Sequence, residues 1–360
     1  MKTIAYYISD YGYGHATRST AIIRELLKQN EQIEIIICHL FALDFLQQSF
    51  RHENRVMFRK VATDVGYVLK ENSLEPDAEV LNDNVSSYVS EFSIKLNHET
   101  LFMKEKNVSF VISDISPLGI AGASSLNIPS LGLSNFTWHT AYDGLVEEHL
   151  LSFLHEQYKQ MTYHFSLACS NEPHWGTKEN QSFGFYSREI DNSEVRRIRK
   201  EIDPTGKSQI IYFGLGMKVD IGILSELPIW QSPNCKFIVS SNVNVTHPNV
   251  YKIPQDELET QHYVAAADLV LTKAGWGTIS EAVCAGVPLL ITNRSGMKED
   301  RHTIDYLVHH QLCDLIEWKE LESLVVTPLL IETCRRQQIN RYKNEAVHIA
   351  KEINKKINST

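Results

Sequence analysis

The run Ala265-Ala266-Ala267-Asp268-Leu269-Val270-Leu271-Thr272-Lys273-Ala274-Gly275-Trp276-Gly277-Thr278-Ile279-Ser280-Glu281-Ala282-Val283-Cys284-Ala285-Gly286-Val287-Pro288 reads as strand, Gly-x-Gly turn, helix, small-residue turn and strand. Gly275 and Gly277 let the backbone come close to a ligand where the helix begins, and a helix start offers unpaired N–H groups and a positive dipole end. That combination suits a diphosphate. Thr278 adds a hydroxyl at the helix start and Lys273 a compact positive charge. Glu281, one turn in, projects toward the same crevice, where a carboxylate can accept two hydrogen bonds from a ribose diol.

Outward from this block the same alternation continues. Gln209–Phe213, Lys236–Ser240 and Pro288–Thr292 read as strands, and Leu258–Ala266 and Thr278–Ala285 as helices. An earlier series holds the strands Ile4–Ile8, Ile33–Cys38, Phe110–Ile112 and Ser130–Leu133, with helices near Ala16–Gln29 and Ile120–Leu126. Short apolar runs alternating with helical patterns indicate α/β units on parallel sheets. Residues 40–105 carry few clean periods. Composition shifts to polar, Gly- and Pro-marked sequence over 171–207, and Ser193–Ile202 reads as a helix. We therefore expect an N-terminal domain over 1–184, a C-terminal domain over 185–335 and a tail, 336–360, whose helix packs toward the N-terminal domain.

The 360 residues correspond to about two domains at roughly 150 residues each. An apolar fraction of 43% supplies two cores and excludes disorder as the main state. A net charge of −9 argues against duplex nucleic acid as a partner, since phosphate binding needs a basic face. The six cysteines include no C-x-x-C pair and read as buried free thiols of a reducing compartment. No signal-type segment and no apolar stretch of membrane-spanning length is present, so the expected location is cytoplasmic. Phe41, Phe45, Leu46 and Phe50 form a helical stripe that could meet a membrane at its inner face, with core packing as the alternative.

A second candidate site follows the first strand, at Asp10-Tyr11-Gly12-Tyr13-Gly14-His15-Ala16-Thr17-Arg18-Ser19. The glycines turn the chain tightly at a strand's carboxyl end, and His15 falls at the helix start, where a histidine can take a proton from an acceptor hydroxyl. Asp114, just past the strand Phe110–Ile112, is placed to orient His15 and stabilise its protonated form. Pro117–Ser125 is rich in small residues and reads as a helix packed on the sheet.

The block at 265–288 resembles the donor motif of GT-B glycosyltransferases. It is similar to the plant secondary-product type and to the N-acetylglucosaminyltransferase of peptidoglycan lipid synthesis. The plant stretch T-H-C-G-W-N-S-T-L-E-A aligns ungapped with Thr272 through Ala282. Gly275, Trp276, Glu281 and Ala282 match outright, Gly277 and Thr278 replace Asn-Ser, and Lys273 replaces the phosphate-binding His. By position, Lys273 and Thr278 would touch the diphosphate and Glu281 the ribose. Glu299-Asp300-Arg301-His302-Thr303 looks like the peptidoglycan enzyme's D-R-Q-Q, with His302 and Thr303 where paired Gln residues contact the sugar. Lys252-Ile253-Pro254-Gln255 is similar to the plant W-A-P-Q, with Lys where the base-stacking Trp stands. Gly214-Leu215-Gly216 matches the Gly-bearing loop that faces the phosphates. Gly12-Tyr13-Gly14-His15 resembles the G-x-G-H loop whose His is the acceptor base in the plant branch, and Asp114 matches its orienting Asp. The G-H-A-T-R run also resembles a bacterial glycosyltransferase group and the N-terminal portion of plant arabinose kinases.

The resemblance implies two Rossmann-like domains facing a central cleft, with a C-terminal helix crossing back to the N-terminal domain. It implies an inverting hexosyltransferase that moves a sugar from a nucleotide diphosphate sugar, UDP-linked by the family pattern, to a hydroxyl acceptor. The donor is a substrate, so no cofactor is expected, and the acceptor is a small molecule or a lipid-linked one. No D-x-D triplet occurs, so no metal is expected; Lys273, the helix N-terminus and Arg301 would meet the diphosphate charge. Two rival readings keep the fold. A nucleotide-sugar hydrolase would use His15 to activate water, and a non-catalytic protein would bind the sugar nucleotide without turning it over.

Overall fold

The computed structural model describes residues 1–71, 73, 75–215, 224–293, 296–337 and 342–359. The chain divides into two compact units: Met1–Leu69 with Pro76–Gly184 and Glu345–Thr360, and Lys70–Glu75 with Phe185–Asn344. In chain order the first unit contains β1 (Lys2–Ile8), α1 (Tyr13–Gln29), β2 (Ile33–His39), α2 (Leu43–Ser49), β3 (Val56–Lys60), α3 (Ala78–Glu105) and β4 (Val108–Asp114). It continues with α4 (Pro117–Ser125), β5 (Ser130–Ser134), α5 (Trp138–Ala141), α6 (Glu148–Tyr158), β6 (Tyr163–Ser166) and β7 (Glu179–Ser182). The second unit holds α7 (Asn192–Ile202), β8 (Gln209–Gly214), β9 (Cys235–Val239), β10 (Val250–Lys252), α8 (Gln261–Ala265), β11 (Leu269–Lys273) and α9 (Trp276–Ala285). There follow β12 (Leu289–Thr292), α10 (Lys298–His309), β13 (Cys313–Ile316), α11 (Trp318–Leu321) and α12 (Pro328–Gln337), and α13 (Ala346–Asn358) belongs to the first unit.

Both sheets are parallel throughout their named strands. The first has the order β3-β2-β1-β4-β5-β6-β7 and the second β10-β9-β8-β11-β12-β13. Each sheet is wound outward in both directions from its first strand, so each has a topological switch point, between β1 and β4 and between β8 and β11. In open α/β sheets ligands sit outside the carboxyl ends of the strands at that point. The register pairs Ile8 with Asp114 in one sheet and Gly214 with Thr272 in the other. The GxGH loop, Asp114, the Gly214 loop and the turn after Lys273 therefore leave their sheets at the two switch points.

The sequence explains the strands directly. Ile4–Ile8 of β1 and Leu269–Thr272 of β11 are buried without a break, as strands covered on both faces must be. The α9 helix stops at Gly286, whose φ of +70° suits glycine, with Val287 N–H donating to Ala282 O at 3.0 Å and Pro288 beyond. On α13 the buried residues Ile349, Ile353 and Ile357 repeat every four residues and pack against α1. The division between the units falls at Asn344/Glu345, later than the 335/336 boundary expected from composition. Asn344 Nδ2 donates to Ser187 O at 2.9 Å within the second unit, whereas Glu345 lies against Gly184 of the first. All six cysteines are free, five of them buried. No described helix is long and apolar enough to cross a membrane.

Candidate active site

In the first unit, Gly12 sits at φ +74°, a conformation open to glycine, and its N–H donates to Asp10 O at 3.1 Å. This tight turn starts α1 at Tyr13 and puts His15 in its first turn. Asp114 is the last residue of β4, and the chain turns sharply after it because Ile115 holds φ +59°. That is a strained setting for a β-branched residue. The Tyr158 hydroxyl donates to Ile115 O at 2.6 Å and fixes the bend.

The two residues meet: His15 Nδ1 lies 3.0 Å from Asp114 Oδ1, and both side chains are buried. Arg18, one turn further along α1, donates from Nε to Asp114 Oδ2 at 2.7 Å and from Nη2 to Oδ1. The Ser19 hydroxyl adds a bond to Oδ2 at 3.2 Å. Burial pushes the Asp114 carboxyl up, but Arg18 and His15 together hold it well below the usual carboxylate range. Burial, aided by the Arg18 charge, lowers the His15 pKa from its ordinary value against the pull of Asp114. An ionised Asp114 can only accept, so His15 carries its proton on Nδ1 and keeps the Nε2 lone pair. Nε2 has no hydrogen-bond partner among the described residues. Such an imidazole is ready to take a proton.

Neighbouring loops are tied to the same edge. Asp10 accepts from the N–H groups of Leu40 at 2.8 Å, Phe41 at 3.0 Å and Thr63 at 2.8 Å, joining the loops after β1, β2 and β3. Asp64 accepts from Ser9 Oγ at 3.2 Å, Asp10 N–H at 3.0 Å and Trp138 Nε1 at 2.9 Å. Burial, with the Asp10 charge beside it, pushes the Asp64 carboxyl up to about 7. The Phe41–Phe50 stripe is divided: Leu46 and Phe50 are in the core, while Phe41 is exposed and stands edge-on to Tyr13 at 5.4 Å.

In the second unit, Gly275 is the N-cap of α9 and Trp276, Gly277 and Thr278 form its first turn, with no side-chain cap bond and no acidic residue. Backbone N–H groups at a helix start lack intrahelical partners and suit an anion; here the Gly275 N–H donates to Lys273 O at 2.7 Å, and the first turn of α9 follows it at the switch point. Lys273 ends β11 immediately before it. Gly214 must be small: a Cβ there would come within 2.6 Å of the Tyr212 ring. Its carbonyl accepts from Thr272 Oγ1 at 2.6 Å, joining the two strands of the switch point. Gly216 lies outside the described residues. Arg301, His302 and Thr303 lie in the first half of α10, which follows β12, the strand next to β11. Arg301 is exposed, His302 half-buried with its pKa lowered by burial, and Thr303 buried with Oγ1 unpaired.

Glu281 is only 12% exposed in its side chain and is not a lone acid: Oε1 accepts from Arg188 Nη2 at 2.9 Å. Arg188 is itself buried and also donates to Leu258 O and, at 3.0 Å, to Thr260 Oγ1. Sequence reasoning missed Arg188, which lies 93 positions from its partner. It passed over Arg18 as well, although its i+3 spacing from His15 places both on one helix face.

Residues 242–357 match the glycosyltransferase family 28 C-terminal domain. The L-arabinokinase of Arabidopsis thaliana is 24% identical over 315 residues, covering 85% of this chain and 30% of that protein, so the chain spans less than a third of this relative's length. Among solved structures, CalG4, the calicheamicin glycosyltransferase, aligns with a TM-score of 0.64 at 15% identity over 99% of this chain and 98% of the other. A UDP-glucose: anthocyanidin 3-O-glucosyltransferase solved in complex with UDP gives 0.67 at 12% identity over 100% and 99%. The chain has the GT-B fold of these solved structures, and its residues 242–357 are similar to the glycosyltransferase family 28 C-terminal domain.

Proposed function

We propose that the protein is an inverting glycosyltransferase whose donor is a nucleotide diphosphate sugar, UDP-linked by its likeness to the UDP-using structure, and whose acceptor is a hydroxyl compound. The observation that carries this reading is the buried His15–Asp114 pair at the switch point of the first sheet. His15 Nε2 takes the acceptor's hydroxyl proton as the oxygen forms a bond to the anomeric carbon. The bond from that carbon to the diphosphate breaks from the opposite face, and its electron pair leaves on the diphosphate. Asp114 stabilises the imidazolium that results. In the second unit the N-terminal turn of α9, with Lys273, Thr278 and Arg301, receives the diphosphate, and Glu281 receives the ribose. Those cationic and backbone groups are the basis for reading the reaction as independent of metal and of any cofactor.

The test is donor turnover, followed as nucleoside diphosphate release with acceptor present, in wild type and His15→Ala. Loss of a general base lowers the rate by about 10²–10⁴-fold while nucleotide affinity stays near wild type. An unchanged rate removes His15 from the mechanism. Free sugar appearing at the full rate without any acceptor converts the reading to hydrolysis.

A further inference from the structure

We propose that Arg18 is a positioning residue for the base of the first unit: it clamps Asp114 in a fixed plane and offsets its charge, so that the carboxylate orients the His15 imidazole without converting it to an imidazolium. This rests on the reading of His15 as the base. A carboxylate next to a histidine draws a proton onto the ring, because opposite charge within about 4–6 Å favours the charged form. A base that is already protonated cannot accept the acceptor's proton.

Arg18 resolves that conflict by geometry. Its Nε and Nη2 grip the two oxygens of Asp114, a bidentate fork that a carboxylate matches well. Nη1 donates to Asn135 Oδ1 at 2.8 Å and Nη2 to Ser134 Oγ at 3.0 Å, the latter the last residue of β5 and the former the next, so the guanidinium is held from a third element. Nη2 also lies 3.0 Å from His15 Nδ1. Its two hydrogens are already committed, to Asp114 Oδ1 and Ser134 Oγ, so it has none for the imidazole. Nδ1 must then bring its own proton to Asp114, and the nearby guanidinium acts on the ring through its charge. The charged and titratable groups facing His15 are Asp114 on β4, Arg18 on α1 and His39 at the end of β2. His39 Nε2 accepts from Ala42 N–H at 2.8 Å, which makes the ring neutral in this arrangement, and its Nδ1 faces Ile8 O and, at 3.0 Å, Asp10 Oδ1. Burial lowers the His15 pKa, and the balance between Asp114 and Arg18 then decides how far Asp114 can restore it. The ring edge contributed by Phe136, at 5.8 Å, keeps that balance in an apolar setting.

The experiment is proton–nitrogen correlation spectroscopy of the nitrogen-15-labelled full chain, which reports the tautomer and titration midpoint of each histidine. His15→Gln assigns the His15 signal. Wild type should show the Nδ1–H tautomer with a midpoint below the ordinary histidine value. Arg18→Met should raise the midpoint by about one unit or more, since Asp114 then acts on the ring unopposed. Arg18→Lys should raise it by less, because an ammonium keeps a charge but cannot span both carboxylate oxygens. An unmoved midpoint in folded Arg18→Met, or a wild-type proton on Nε2, overturns the proposal. If Arg18→Met does not fold, Arg18→Lys decides in the same way: a rise supports the clamp and no change overturns it. The measurement needs no substrate, so it is separable from the function. The expected shifts together with full turnover by His15→Ala would leave Arg18 positioning a residue that is not the base.

Discussion

At the scale of single residues, the site is made of side chains that are costly to bury alone. Asp114 is stable as an anion because four donors reach it, and Glu281 accepts from the buried Arg188. This gives a sharp expectation for the donor half. Glu281→Ala and Arg188→Met should each weaken nucleoside diphosphate binding by about 10- to 100-fold, the range for a lost hydrogen bond to a charged group. Both variants should also destabilise the fold, by about 3 kcal/mol, since each strands the buried charge of its partner. Calorimetric titration gives the first quantity and thermal melts the second. Wild-type affinity in Arg188→Met would show that the pair is a structural strut. His15, Asp114 and Glu281 were legible in the sequence because each stands at a fixed offset from a strand or glycine turn. Their arginine partners were not, since a long flexible side chain has no offset of its own, and Arg188 is distant in sequence.

At the scale of elements, the buried parallel strands and the helices α1, α4, α7, α8 and α9 were legible, and the longest helix was not. Apolar runs located β1, β2, β4, β5, β8, β9, β11 and β12 to within a residue or two. The 28-residue α3 fell in the stretch that showed few periods. Its buried residues include Tyr88, Phe92 and Glu99, so polar and aromatic groups stand where a helical pattern expects aliphatic ones. Glu99 is buried because Tyr7 and Arg59 both donate to it at 2.6 Å. The strand β6 was missed for the same reason: it is four residues long and contains His164. Burial holds His164 down at about 4. Unfolded, it would take its proton near pH 6.5, so between those values the unfolded chain binds more protons and stability falls on acidification, by up to about 3 kcal/mol for this one group. Asp64 works in the opposite sense: raised to about 7 in the fold, it makes the folded chain the stronger proton binder above its ordinary value. The comparison that isolates β6 is therefore wild type against His164→Gln, melted at pH 7 and pH 4.5. The variant should lose less stability between the two; parallel curves would mean that His164 does not resist protonation.

At the scale of the whole molecule, the same winding appears twice in sequences that show no repeat. Each unit offers one crevice at its switch point, and each of the two motifs found in the sequence falls in one of them. The base belongs to the first unit and the anion cradle to the second. The loops after β2, β3 and β5 were not legible, because their side chains are set by contacts distant in sequence. Asp10, for example, ties the loops after β2 and β3 to its own, after β1, through backbone N–H groups, which carry no signature in the sequence. The claim that organises the account is that the cradle at α9 holds a nucleoside diphosphate. The most direct measurement is calorimetric titration of the full chain with UDP, dTDP, GDP and CMP, on wild type and on Glu281→Ala. The account predicts micromolar binding of one of the diphosphates and its loss in the variant; no binding by any of the four nucleotides would contradict it.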